Sequence, residues 1–157
     1  MFTEKDQDEV LPYAVDAETP LGPEELLVLK RQYEREGRKV GVQTKFNYAW
    51  GLVKSMNKND QKLGIELLEE IFVEYPERQR ECLYYIGLGH YKLSNYNEAN
   101  RYNNTLLSIE PENMQAQSLK TLIEAKCKRD GIIGMALASG AVATIGIIAA
   151  AFLKSRR

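Results

Sequence analysis

His90 is the only histidine in the sequence, and Cys82 and Cys127 are the only cysteines. A Ser-His-Asp or Cys-His relay would therefore have to run through His90. A tightly held transition metal wants several imidazole and thiolate ligands, which one histidine and two distant cysteines do not supply. Gly87-Leu88-Gly89 has two glycines of a dinucleotide loop, but lacks the third and the strand that should precede it. His90 is accordingly expected in the core, Cys82 as a packed thiol, and Cys127, between Lys126 and Lys128, as inert rather than acylated. No catalytic residue, metal or cofactor is expected, and the chain does not read as an enzyme.

A different spacing points to recognition. Tyr84, Leu88 and Tyr91 follow the i, i+4, i+7 pattern of one helix face, and Tyr48, Leu52 and Ser55 follow it one repeat earlier. A second stripe, Leu83, Ile86 and Leu93 or Trp50 and Val53, accounts for ordinary core packing. The spare stripe is expected to line a concave surface that takes a peptide or helix, rimmed by Lys45, Glu81 and Lys92. The alternative is that these tyrosines are packing residues closed over by the N-terminal segment. That segment, the acidic arm of residues 1–22, contains Val10, Leu11, Pro12 and Tyr13, a short apolar motif that could lie in the groove or belong to a solvated tail.

The elements that would position these residues are all helical. Pro23, Glu24 and Glu25 open a first helix that stops at Gly37. Further helices are expected at about Gln43–Met56, then after a capping polar link Asn57–Asp60 up to Tyr75, at Arg78–Leu93, after a turn at Ser94 and Asn95 up to about Glu110, and at Glu112–Lys128. The second to fifth form two copies of a tetratricopeptide-like unit, at about 43–76 and 79–111. Gly64 to Ala99 and Pro76 to Pro111 are both 35 residues apart, whereas Gly51 to Gly87 is 36, which places one extra residue in the polar link around Asn57–Gln61. Asn103 stands where the second copy should carry an aromatic. Two repeats need capping, and helices 23–37 and 112–128 supply it through Leu26, Leu29 and Tyr33 and through Leu119, Leu122 and Ile123. The fold class is all-α: a six-helix superhelical bundle over 23–128, followed by one C-terminal transmembrane helix.

That last element follows from charge. Residues 131–153 contain no charged side chain, and at about 1.5 Å per residue they span roughly 34 Å, enough for a bilayer core. Lys154, Arg156 and Arg157 follow in a basic tail, 154–157. The first 19 residues hold six acids and one base, the opposite of a secretory or matrix signal. A net charge of -1 argues against broad nucleic-acid binding. The expectation is a tail anchor that leaves the N-terminal domain in the cytosol. Basic residues on both flanks of the span leave its orientation open. The moderate hydrophobicity and basic tail are similar to those of anchors of the outer mitochondrial and peroxisomal membranes.

With its repeat pair, arm, capping helices and basic anchor, the chain resembles the mitochondrial fission 1 protein family over nearly its whole length. The resemblance is most specific in Lys45-Phe46-Asn47-Tyr48-Ala49-Trp50-Gly51-Leu52-Val53-Lys54-Ser55, in Arg80-Glu81-Cys82-Leu83-Tyr84-Tyr85-Ile86 and in Tyr91-Lys92-Leu93. It is weakest in the arm. The resemblance implies a receptor on the outer mitochondrial membrane, and often on peroxisomes. Its concave face would bind adaptors of the WD-repeat type, and these would recruit a dynamin-related GTPase; self-association is left open. The competing expectation is a tail-anchored chaperone co-receptor of the import machinery, which would clamp acidic peptide tails with Lys54 and Lys92.

Overall fold

The structure, a computed structural model, describes residues 19–130. The arm positions Val10, Leu11, Pro12 and Tyr13, the segment 131–153 and the tail residues Lys154, Arg156 and Arg157 lie outside the described residues. Six helices make up the described part: α1 (Pro23–Glu36), α2 (Val42–Lys54), α3 (Lys58–Glu74), α4 (Gln79–Lys92), α5 (Tyr96–Ile109) and α6 (Met114–Arg129). Short 3₁₀ turns occupy Gly37–Lys39 and Pro76–Arg78, and no strand occurs among the described residues. No helix among them is long and apolar enough to cross a membrane.

Local chemistry explains where the helices begin and end. Pro23 occupies the first turn of α1, and the Glu25 carboxylate reaches back to accept the Gly22 N–H at 3.1 Å. α2 stops at Lys54 rather than the expected Met56. Ser55 is extended there, and its hydroxyl accepts the Asn57 N–H at 3.1 Å and donates to Asp60 at 2.7 Å. Asn57 then caps α3 through the Asn59 N–H at 2.8 Å. α6 begins at Met114 rather than Glu112 because Asn113 is its cap, accepting the Ala116 N–H at 2.9 Å. α4 closes on Ser94 at φ 61°, with Asn95 N–H bonded to the His90 carbonyl and Ser94 N–H to that of Tyr91. This is the paired C-terminal cap that usually places glycine at the left-handed position.

The helices form two layers. α2 packs on α1 and α3, α4 packs on α3 and α5, and α6 packs on α5; α2 also touches α4, and α4 touches α6. The inner layer is thus α2, α4 and α6, and the outer layer is α1, α3 and α5. Gly64 sets the closest crossing, since a methyl group there would meet the Ala49 carbonyl at 2.8 Å and the Val53 nitrogen at 2.9 Å. The core runs along the seam between the layers through Val53, Leu68, Ile71, Leu83, Ile86, Leu106, Leu119 and Ile123, all fully buried.

Candidate functional site

The stripe singled out for recognition lies on α2 and α4, neighbours in the inner layer. The helical spacing does bring its members together, but they are not open to solvent. Tyr48, Leu52, Tyr84, Leu88 and Tyr91 are all buried, Tyr84 completely. Tyr33 of α1 covers Tyr48 with ring centroids 4.8 Å apart. Tyr84 meets Tyr85 edge-on at 5.1 Å, Tyr85 meets Phe46 edge-on at 5.7 Å, and Tyr91 faces Tyr96 of α5 at 6.3 Å. These aromatic contacts link α1, α2, α4 and α5. Phe46 and Tyr85 were missing from the expected site because they sit off the stripe, two positions before Tyr48 and one after Tyr84; only the density of aromatics in α2 and α4 signals them. Burial raises the Tyr48 hydroxyl above its ordinary pKa, with Asp60 and Glu34 adding to the rise.

The charged positions expected at the rim are engaged with neighbours. Lys45 is buried and paired with Glu70 of α3. Glu81 pairs with Arg78 at 3.3 Å, and Arg78 also lies over the Phe46 ring at 5.7 Å. The Lys92 ammonium donates to the Ser55 carbonyl at 3.3 Å, which joins the ends of α2 and α4. Burial, followed by the nearby Lys54 charge, lowers the Lys92 pKa. Lys54 itself stands 4.8 Å above the Trp50 ring.

The residues weighed for chemistry are placed apart. His90 stacks on Tyr102 at 5.6 Å, and burial lowers its pKa despite the opposing influence of Glu98. The Tyr102 hydroxyl donates to Glu69 of α3 at 3.1 Å, and burial raises the Glu69 carboxyl above the usual range. Cys82 is fully buried and its thiol is pushed up to about 12 by desolvation. Cys127 is also buried, with its pKa raised first by desolvation and then by Asp130 and Glu124. Both thiols are thereby held in the less reactive protonated form at neutral pH. Among the described residues no group of His, Cys, Asp and Glu is arranged to hold a metal ion.

Two family models match this arrangement of repeats, the Fis1 N-terminal tetratricopeptide repeat over residues 43–74 and the Fis1 C-terminal tetratricopeptide repeat over residues 80–132. The mitochondrial fission 1 protein of Gibberella zeae is 60% identical across 94% of this chain and 96% of its own. The chain belongs to the mitochondrial fission 1 protein family. Within that family, the Neurospora crassa protein is 58% identical across 92% of this chain and 95% of its own. The crystal structure of yeast Fis1 in complex with an Mdv1 fragment containing N-terminal extension and coiled-coil domains superposes with a TM-score of 0.72. That match is at 43% identity over 77% of this chain and 96% of that one. Yeast Fis1 complexed with a Caf4 fragment matches with a TM-score of 0.55, at 46% identity over 59% of this chain and 96% of that one. The six-helix, tetratricopeptide-like fold expected from the repeat spacing is therefore that of the mitochondrial fission 1 family.

Proposed function

We propose that this chain is a tail-anchored receptor of the outer mitochondrial membrane that recruits adaptors for mitochondrial fission. Residues 131–153 cross the membrane, Lys154, Arg156 and Arg157 direct the anchor to it, and the helical domain faces the cytosol. The adaptors, of WD-repeat type, bring in a dynamin-related GTPase; the same arrangement operates on peroxisomes. The observation that carries this reading is the likeness to a solved relative seen with an Mdv1 fragment, strengthened by a second seen with a Caf4 fragment. No bond is made or broken by the protein itself. Its work is to hold one partner at a surface.

The contact face in this reading is that of α2 and α4. The buried tyrosines Tyr48, Tyr84 and Tyr91, with Leu52 and Leu88, form its floor, while Lys45, Glu81 and Lys92 stand along its margins. Burial decides how the face should be probed. A charge at Tyr84 would unfold the domain, because a fully buried position has no water to solvate it. Reversing a marginal charge is cleaner.

In calorimetric titration of the full chain in detergent with an Mdv1-type fragment, Glu81→Lys and Lys92→Glu together should weaken binding by about tenfold, as expected for charge reversal at an interface edge. Melting should fall modestly, since the variant loses the Glu81–Arg78 pair and the Lys92 bond to the Ser55 carbonyl, each worth about 1 kcal/mol. Unchanged affinity in a folded double variant would remove this face from the proposal. Tight binding of an acidic chaperone-tail peptide, lost in Lys92→Glu, would favour the co-receptor reading; the Lys54 charge acting on Lys92 is on its side.

A further inference from the structure

The two ends of the bundle differ in how their connections are built. Alternation of the helices gathers the starts of α1, α3 and α5 and the ends of α2, α4 and α6 at one end. Three contacts knit that end together. Leu21 N–H donates to the Lys54 carbonyl at 3.1 Å, Lys92 donates to the Ser55 carbonyl at 3.3 Å, and the Tyr96 hydroxyl donates to Asp130 at 2.9 Å. The connections there, Ser55-Met56-Asn57 and Leu93-Ser94-Asn95, contain no charge, whereas those at the opposite end carry acids and bases in equal number, Glu77, Glu110 and Glu112 with Arg38, Lys39 and Arg78.

Lys58, Lys62 and Lys128 are exposed at the uncharged-loop end, and Met56 is 80% exposed among them. The acids at this end are largely occupied. Asp60 accepts from Ser55, Asp130 accepts from Tyr96 and pairs with Arg129, Glu25 accepts from Gly22, and Glu98 in the first turn of α5 pairs with Arg101. Glu24 stays exposed in the first turn of α1.

We propose that this end of the bundle is a docking surface for an anionic lipid bilayer, with Lys58, Lys62 and Lys128 on lipid phosphates and Met56 reaching into the interfacial layer. The inference rests on the reading of 131–153 as the anchor, because Asp130 is where α6 hands over to that uncharged segment. A chain that enters the bilayer there presents this end, and not the opposite one, to the lipid. Each lysine at an anionic surface contributes roughly fivefold in local affinity, and salt screens it. Docking would stand the helices upright on the membrane, with the α2 and α4 face turned to one side.

The test uses the full chain in vesicles of phosphatidylcholine with or without phosphatidylserine, carrying a nitroxide quencher on lipid headgroups. A fluorophore is attached at Met56→Cys or, at the opposite end, at the 64% exposed Ile109→Cys; Cys82 and Cys127 are buried and escape labelling under native conditions. On anionic vesicles the label at position 56 should be quenched several-fold more than the label at 109. High salt should shrink the difference, as should the combined Lys58→Glu, Lys62→Glu and Lys128→Glu variant, while flotation with the vesicles stays unchanged. Equal quenching at the two positions in a chain that floats overturns the docking surface, as does a triple variant with unaltered quenching. A chain that does not float overturns the anchor reading itself, and the docking surface falls with it.

Discussion

α1 and α6 close opposite ends of the same repeat pair with very different grips. α6 buries Gln115, Ala116, Leu119, Ile123 and Cys127, and its Ala116 carbonyl accepts a 2.7 Å hydrogen bond from the buried Asn103 side chain. α1 buries no residue. Leu26, Leu29 and Tyr33 are only partly covered, and Val28 is 64% exposed. A two-repeat solenoid depends on its caps, so this pair is sealed at one end and lidded at the other. Elements with few buried apolar contacts open first. The lid is also what covers Tyr48 of the α2 and α4 face, whereas the sealed end continues toward residues 131–153.

The largest effect that could break this comparison is truncation in the tighter cap. Leu119 is fully buried, so Leu119→Ala should cost about 3 kcal/mol, from lost transfer energy plus the cavity left behind. Leu29→Ala removes a half-buried side chain and should cost about 1 kcal/mol, in keeping with partial burial. Urea unfolding monitored by circular dichroism gives both numbers. Equal losses would mean that α1 grips as firmly as α6, and the asymmetry would be gone.

Two glycines sharpen the same point at smaller magnitude. A methyl at Gly51 would meet the tip of Leu29 at 2.6 Å, and that tip can swing aside because α1 is loosely held. At Gly64 the obstacles include the backbone of α2, at 2.8 and 2.9 Å, which cannot move without parting the helices. Gly64→Ala should therefore cost about 2 kcal/mol through overpacking. Gly51→Ala should be near neutral, since Ala is favoured over Gly in a helix by about 1 kcal/mol. A Gly51→Ala loss as large as that of Gly64→Ala would show that α1 cannot yield.

Repeat architecture was legible because it is written in local chemistry. Pro76 and Pro111 end helices by geometry, Gly37 stops α1, and the 35-residue recurrence of Gly64 and Ala99 marks where helices must cross closely. Burial of the α2 and α4 stripe was not legible. The spacing of Tyr84, Leu88 and Tyr91 says that they share a face, but nothing local says what covers that face. Asn103 was legible only as a break in the repeat pattern. Its meaning lies in α6: Leu68, at the matching position of the first repeat, packs in the core, whereas Asn103 ties down the carbonyl of the helix that follows. Ser55 ended α2 early through a hydroxyl network that no helix period reports.

The smallest expected effect concerns pH, and it separates the two halves again. His90, in the second repeat, is largely buried on Tyr102, whereas its counterpart in the first, Lys54, is a cation over Trp50. Burial lowers the His90 pKa; Glu98 opposes that shift and Arg101 reinforces it. The unfolded chain then takes up its histidine proton at a higher pH than the folded chain does. Stability contributed by neutral His90 is present above the ordinary histidine pKa of about 6.5 and declines as pH falls through it. Glu69 works in the other direction, because its raised pKa lets the folded state bind a proton first, but only at more acidic pH, nearer the carboxylate range. Between pH 7.5 and about 5.5 the His90 slope should therefore dominate locally. Amide exchange should then show α4 and α5 loosening while α1 keeps its already fast rate, and His90→Gln should abolish the change. A pH response centred on α1 would shift the sensitive element from the sealed half to the lid.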